Sequence, residues 1–228
     1  MSTARELTTL GAAGRAFVES SSGRVITLAM LGAAVVRAGF GGLRWTDLAT
    51  VAVVAAAVGP VEWLIHRTLL HAPPGRRVAD ALGTRDSHER HHSDPDDLEW
   101  LLLRRPNAIG SCLAIVMPIA LLTAAVDRWA AAGATATVWG VGATGMVFGL
   151  LALLHYEWVH LLVHSRYRPT TRYYSRLDRN HRLHHFRNEQ HWLGVTSNSG
   201  DRLFGTLPSG RSDVPLSSTV RTLDAPQP

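Results

Sequence analysis

The chain contains no lysine: all 23 of its basic residues are arginine. Cysteine is almost absent too. Cys112 stands alone in an apolar stretch, so no disulfide framework exists. The arginine excess reads as membrane topology and contact with anionic lipid, and nucleic acid is not expected as a partner. The first 24 residues are too long and too polar for the leading part of a signal peptide, and no clear cleavage site follows. They read as an N-terminal tail with some helix, and 208–228 reads as a disordered C-terminal tail.

Charge is missing from two long stretches, 106–126 and 129–156. Each exceeds the roughly 20 residues a helix needs to cross a bilayer. A mean hydropathy of +0.04 looks soluble only because apolar and charged residues are segregated along the chain. Two weaker spans precede these. Residues 25–36 are bounded by Arg24 and Arg37, and can cross if Arg37 snorkels to the interface; the alternative for 25–43 is an interfacial hairpin. Residues 48–61 continue as helix through His71, with Pro60 a candidate kink.

Arginine then orients the chain. Three lie in 1–24, seven in 66–106 and ten in 165–228, leaving only Arg37, Arg44 and Arg128 for the opposite-side loops. Twenty against three is a positive-inside signal that puts both termini and the histidine-rich regions in the cytoplasm. The expected fold is all-α: a polytopic, integral membrane protein with about four transmembrane helices over 25–207 and a cytoplasmic helical cap.

What is abundant is histidine, and it is confined. All twelve fall within 66–92 and 155–191. His66 and His71 precede His88, His91 and His92; His160 and His164 precede His181, His184 and His185. The gap from pair to triplet is 17 positions in both sets, a pseudo-repeat in which a membrane helix carries two histidines and leads to H-x-x-H-H. On a helix, each triplet presents three imidazoles on one face, and His160 and His164 are i and i+4. His66 and His71 fall about 140° apart, able to reach around a shared centre but not stacked. Ten imidazoles exceed what one ion can hold, so two ions with four to six ligands each is the natural count.

Glu62 lies four residues before His66, and Glu157 three before His160. Each would share its histidines' face, where it could accept a ring N–H and fix the tautomer; the alternative is that they cap or pair with arginine. His155 and His191 read as ligands or as ordinary polar residues with equal weight. Asp94, Asp96 and Asp97 read as a turn and helix cap. Arg182, Arg187, Tyr173 and Tyr174 are candidates for contact with a lipid head group or an electron donor.

Taken in order, EWLIHRTLLH (62–71), HERHHSDPDD (88–97), HYEWVHLLVH (155–164) and NHRLHHFRNEQHWLGVTSNSGDRLFGT (180–206) resemble the four histidine elements of the fatty acid hydroxylase superfamily of membrane oxygenases. That superfamily includes fatty acid 2-hydroxylases, sterol C-4 methyl oxidases and sterol desaturases. The likeness spans about 60–207, and GVTS, Asp201 and FGT (204–206) resemble the 2-hydroxylase branch in particular. The resemblance implies that His66, His71, His88, His91, His92, His160, His164, His181, His184 and His185 are ligands of a dimetal centre. It also implies O2 as cosubstrate, hydroxylation of an unactivated C–H of a lipid, most simply a fatty acyl chain, and electrons from cytochrome b5 or a ferredoxin system. No cytochrome b5-like segment lies within these 228 residues, so the donor is expected to be a separate protein. His155-x4-His160 also fits the third element of carotenoid ring hydroxylases, where His191 has a counterpart, and a sterol desaturase or oxidase would use the same chemistry.

An all-imidazole shell suits iron, zinc or copper. Iron is favoured because O2 activation needs a change of oxidation state that Zn2+ cannot supply, although zinc can occupy such a site in purified protein. No catalytic residue beyond the metal site is required. A membrane zinc hydrolase is disfavoured because two histidine triplets exceed a single-zinc site. A haem protein is disfavoured because the histidines lie at helix ends and in loops, and a metal carrier because no charged ligand lies mid-membrane.

Overall fold

A computed structural model describes residues 3–131 and 135–221. Among these residues the chain is helical, and its one β-type pairing is an isolated bridge between Thr3 and Asp97. The helices are α1 (Leu10–Glu19), α2 (Ser21–Gly39), α3 (Trp45–Ile65), α4 (Arg77–Leu82), α5 (Thr84–Ser93), α6 (Leu98–Leu101), α7 (Arg105–Ser111), α8 (Met117–Ala131), α9 (Thr135–His164), α10 (Arg172–Phe186) and α11 (Ser199–Phe204). One-turn π-helical segments, His66–Leu70 and Cys112–Val116, follow α3 and α7.

Ends are set by ordinary capping chemistry. The Ser20 hydroxyl accepts the Gly23 N–H at 2.9 Å to start α2, and Asp97 accepts the Glu99 N–H at 2.9 Å to start α6, as expected of an aspartate-rich turn. Gly83 ends α4 in the left-handed conformation with φ 61°, which costs glycine little. Pro60 lies inside α3 without ending it.

Among the described residues, four helical stretches are long and apolar enough to cross a membrane: Ser21–Gly39, Trp45–Leu70, Leu98–Ala130 and Val138–His164. Leu28, Leu31, Val35, Leu113, Leu121, Leu122 and Val126 all lie more than half exposed on them. So much unpartnered apolar surface is costly in water and natural against lipid. The chain is an integral membrane protein with all-α architecture, and the weak first span is a full 19-residue helix.

The chain divides into two compact units. One comprises Phe17–Ala57 and Leu103–Glu157. Its core joins Ile26 and Ala33 of α2 to Val116 and to Leu150 of α9. Close helix packing comes from small residues: a side-chain carbon added at Gly142 would meet Ala124 Cβ at 3.0 Å and the Ala120 carbonyl at 3.1 Å. Arg37 has partners within this unit. Its guanidinium pairs with buried Asp47 at 3.2 Å and donates to Thr144 Oγ1 at 2.7 Å. Arg44 meets buried Asp127 at 2.9 Å.

The second unit comprises Met1–Ala16, Val58–Leu102 and Trp158–Pro228. It contains the C-terminal ends of α3 and α9, the short polar helices, and every histidine of the two pseudo-repeats. Residues 208–221, expected as a disordered tail, here carry buried Val214 and Val220 and take part in its packing; 222–228 lie outside the described residues.

Candidate metal centre

Two strongly polar helices are buried where apolar ones would be expected. On α10, Leu177, Asn180, His181, His184 and His185 form a continuous i, i+3, i+4, i+7, i+8 stripe, and all five are buried. On α5 the buried residues are His88, His91 and His92. Imidazole therefore takes the place of leucine on the inward face of both helices.

All ten pseudo-repeat histidines come together, in two groups of five. The first is His66, His71, His88, His92 and His184; the second is His91, His160, His164, His181 and His185. Within each group, one ligand-capable atom per residue lies within 4.8 Å of the others. The groups adjoin, with the His92 ring stacked on that of His185 at a centroid distance of 4.1 Å.

The shared helical face of each triplet was expected to present three imidazoles together, and the structure divides them. His88 and His92, at i and i+4, serve the first group while His91 serves the second. His181 and His185, again i and i+4, serve the second while His184 crosses to the first. Each group is thus a membrane-helix pair, the i and i+4 members of its own triplet, and the i+3 member of the other.

The His66–His71 geometry also differs from expectation. The His71 N–H donates to the His66 carbonyl at 2.9 Å, an i to i+5 bond, because residues 66–70 form a π turn. This returns residue i+5 over residue i and puts the two Nε2 atoms 3.1 Å apart. Regular α geometry would have splayed them.

The nitrogens are arranged as a ligand set. The His66 Nδ1–H donates to the Leu193 carbonyl at 2.5 Å and the His184 Nδ1–H to the His191 carbonyl at 3.0 Å. A carbonyl can only accept, so the proton is on Nδ1 and each Nε2 is a bare lone pair. His66, His71, His88 and His184 then bring four Nε2 atoms into contacts of 3.0–3.2 Å. Nitrogens bound ~2.0–2.1 Å from a common ion stand roughly 2.9–3.4 Å apart for octahedral to tetrahedral angles. In the second group His164 Nε2 and His181 Nε2 approach to 2.8 Å. Both ring nitrogens of His91 and of His185, and His92 Nε2, are buried with no hydrogen-bond partner among the described residues. Buried polar atoms are rarely left so. Converging lone pairs repel one another, and a cation removes that cost; the residues present fit two metal ions.

Electrostatics agree with this geometry. Burial first, and neighbouring imidazoles second, hold His71, His88, His91, His181 and His185 well below the usual histidine range. Burial likewise lowers His184 and takes His92 down to about 3. At neutral pH all are uncharged, the form that donates a lone pair to a metal.

The carboxylates act one step further out than expected. Rather than taking a ring N–H, Glu62 Oε1 accepts the backbone N–H groups of Val195 (2.8 Å) and Thr196 (2.9 Å), and Oε2 accepts the Thr196 hydroxyl (2.8 Å). Glu157 accepts the Leu103 N–H at 2.9 Å and bonds the Ser22 hydroxyl. The groups that orient the rings are backbone carbonyls: Leu193 for His66, His191 for His184, Val220 for His92 (2.9 Å) and Leu101 for His160. A carbonyl leaves no mark in a sequence, so these four were invisible there.

His155 and His191 belong to neither group. His155 lies on the α9 portion of the other unit, and His191 contributes its carbonyl rather than its ring. Two of the residues expected to face a head group or donor are engaged internally. The Arg187 guanidinium donates to the Val214 carbonyl at 2.7 and 3.0 Å, and the Tyr173 hydroxyl to the Thr196 carbonyl at 2.8 Å. Arg182, which is more than half exposed, pairs with Asp178 at 3.0 Å.

The fatty acid hydroxylase family model matches residues 51–206. No curated protein matches the sequence. Among solved structures, full-length Scs7p, in which only the hydroxylase domain is visible, is similar at a TM-score of 0.59 and 23% identity, covering 92% of this chain and 70% of that one.

Proposed function

Because the chain belongs to the fatty acid hydroxylase family, we propose that it is an O2-dependent membrane hydroxylase using two metal ions, iron by preference, to oxidise an unactivated C–H bond of a lipid. The observation that carries this is the pair of five-histidine groups with converging, largely unprotonated nitrogens. Redox-active ions held there would supply the activation of O2, which needs a change of oxidation state that Zn2+ does not have. The first ion would be held by His66, His71, His88, His92 and His184, the second by His91, His160, His164, His181 and His185.

Hydroxylation puts one atom of O2 into the C–H bond and reduces the other to water, so it consumes two electrons and two protons. A separate donor of cytochrome b5 or ferredoxin type would provide the electrons. The protein's own part is to keep the imidazoles neutral and aimed, and to seat the substrate. Glu62 and Glu157 brace backbone around the ligands and take no chemical step. A fatty acyl chain is the preferred substrate, with its target carbon near the span ends that carry His66 and His164; the carotenoid and sterol alternatives differ only in what occupies that place. The arginine imbalance supports a site and both termini on the cytoplasmic side.

The test pairs metal content and Mössbauer spectra of the detergent-purified protein with lipid profiles of expressing cells and of a His184→Ala control. Two irons per chain and a hydroxylated lipid that disappears in the variant are expected. One zinc with no oxygen-dependent product would sink the proposal.

A further inference from the structure

We propose that the two histidine groups are unequal metal sites, and that Asp201 sets the difference as a positioning residue for the first. The inference rests on the two-ion reading above and concerns what surrounds the ligands.

Three of the first group's five rings have Nδ1 fixed by a backbone carbonyl, and two of those carbonyls come from one turn. His191 O takes His184 and Leu193 O takes His66. Between them, Trp192 is the sole non-glycine residue with positive φ among the described residues, at 53°, and it is only 2% exposed. A left-handed residue there reverses the chain so that the carbonyls on either side serve the same group. Such a conformation persists only where its surroundings over-determine it.

Asp201 does so. It is fully buried, and Oδ1 accepts the Leu193 N–H at 2.9 Å and the Thr206 hydroxyl at 2.6 Å, while Oδ2 accepts the Gly194 N–H at 2.8 Å. The Leu193 peptide is therefore gripped by the carboxylate on its amide side and presents its carbonyl to His66. The Trp192 N–H bonds the Thr206 carbonyl at 2.9 Å, closing the turn against the end of α11. Glu62 holds the following two residues. Close packing fixes the helix that carries Asp201, since a side-chain carbon at Gly200 would meet the Gly59 carbonyl and Trp63 Cβ at 2.5 Å.

Fewer such contacts stand behind the second group among the described residues. Leu101 orients His160, but Nδ1 of His91, of His181 and of His185 meets no hydrogen-bond partner among the described residues. His164, His181 and His185 also line a cavity of about 230 Å3 beside Arg166 and Arg182. An ion entering the first group meets rings already aimed. One entering the second must order its rings as it binds, and has solvent-accessible space beside it.

The test uses the full chain in detergent, stripped of metal, reloaded with Co2+ and titrated with a chelator while bound metal is counted. Two Co2+ equivalents should leave in two steps at least ~10-fold apart in chelator concentration, the usual weight of outer partners in metal affinity. His184→Ala should abolish the tighter step and His181→Ala the weaker. Asp201→Asn, which turns an acceptor oxygen into an N–H donor facing an amide, should weaken the tighter step ~10–100-fold and leave the other in place. Should Asp201→Asn fail to elute as a monodisperse helical protein, Thr206→Val, which removes one grip on the same carboxylate, should shift the tighter step in the same direction by less. A single release step, or a variant that moves the weaker step instead, would overturn the inequality while leaving two-ion binding intact. A chain that takes up no second Co2+ even in excess would overturn the two-ion reading itself.

Discussion

The two histidine groups share a ligand recipe and differ in what stands behind it. Each takes two histidines from a membrane helix, two from its own triplet at i and i+4, and one from the other triplet at i+3. Behind the first lie three carbonyls, a turn held by two buried carboxylates, and a strap of chain returning from beyond residue 213. Behind the second, the Leu101 carbonyl orients His160. Identical first neighbours can thus produce centres of different rigidity, because ring orientation is decided by whatever bonds the nitrogen pointing away from the metal.

Acid should strain both groups at once and gives the largest effect. Folded His71, His88, His91, His92, His181, His184 and His185 all titrate below their unfolded value near 6.5. The unfolded chain therefore binds protons first as pH falls. Stability from these groups is present above roughly pH 6.5 and is lost on the way down toward the folded values, about 3 for His92. The Tm of metal-free protein should fall continuously from pH 7 to pH 5, while metal-loaded protein holds its Tm further because bound ions exclude the protons. A metal-free Tm that is flat over that range would contradict the buried, neutral description of both groups.

Glu62→Leu probes the frame of the first group alone. It leaves the Val195 and Thr196 amides buried without their acceptor, at roughly 1–3 kcal/mol for each unpaired group. Lower thermal stability and loss of one metal equivalent before the other are expected. Equal loss of both would show that the frame serves the whole centre.

The strap gives the smallest effect. Arg221 donates to the His92 carbonyl at 3.0 Å and to the Ser93 carbonyl at 2.5 Å, at the C-terminal end of α5. Arg221→Ala should cost about 0.5–1.5 kcal/mol in a chemical or thermal melt. Two-ion binding should survive, because the Val220 carbonyl on His92 comes from backbone. Loss of an ion in this variant would show that the Arg221 side chain, and not the Val220 carbonyl alone, holds the strap's part of the frame.

The histidines could be read without a structure because they violate composition so strongly. Ten of them, confined to two stretches with the same 17-residue gap, have few uses other than metal binding. The spans were legible for a similar reason, as charge-free runs of bilayer length. Other features were hidden by their nature. The π turn at His66–Leu70 depends on where a helix gains one residue per turn, and HRTLL carries no signal for that. The strap from 208 to 221 looks disordered because Pro, Ser, Gly and Thr dominate it. Its order comes from partners elsewhere: the Ser217 N–H bonds the Arg187 carbonyl at 2.9 Å, and the Thr219 hydroxyl bonds buried Glu189 at 2.9 Å. The pairing of Arg37 was hidden too, because its partners, Asp47 and Thr144, come from separate helices.

Residue type and spacing alone therefore determined a membrane-spanning, all-helical chain and the ten imidazoles that gather in it, because hydrophobic length and ligand chemistry are properties of side chains in order. Only the tertiary structure decided how those imidazoles divide. An i, i+3, i+4 triplet has one face but can reach two centres, and which ring turns to which is settled by backbone carbonyls at 191, 193 and 220, whose positions no side chain announces.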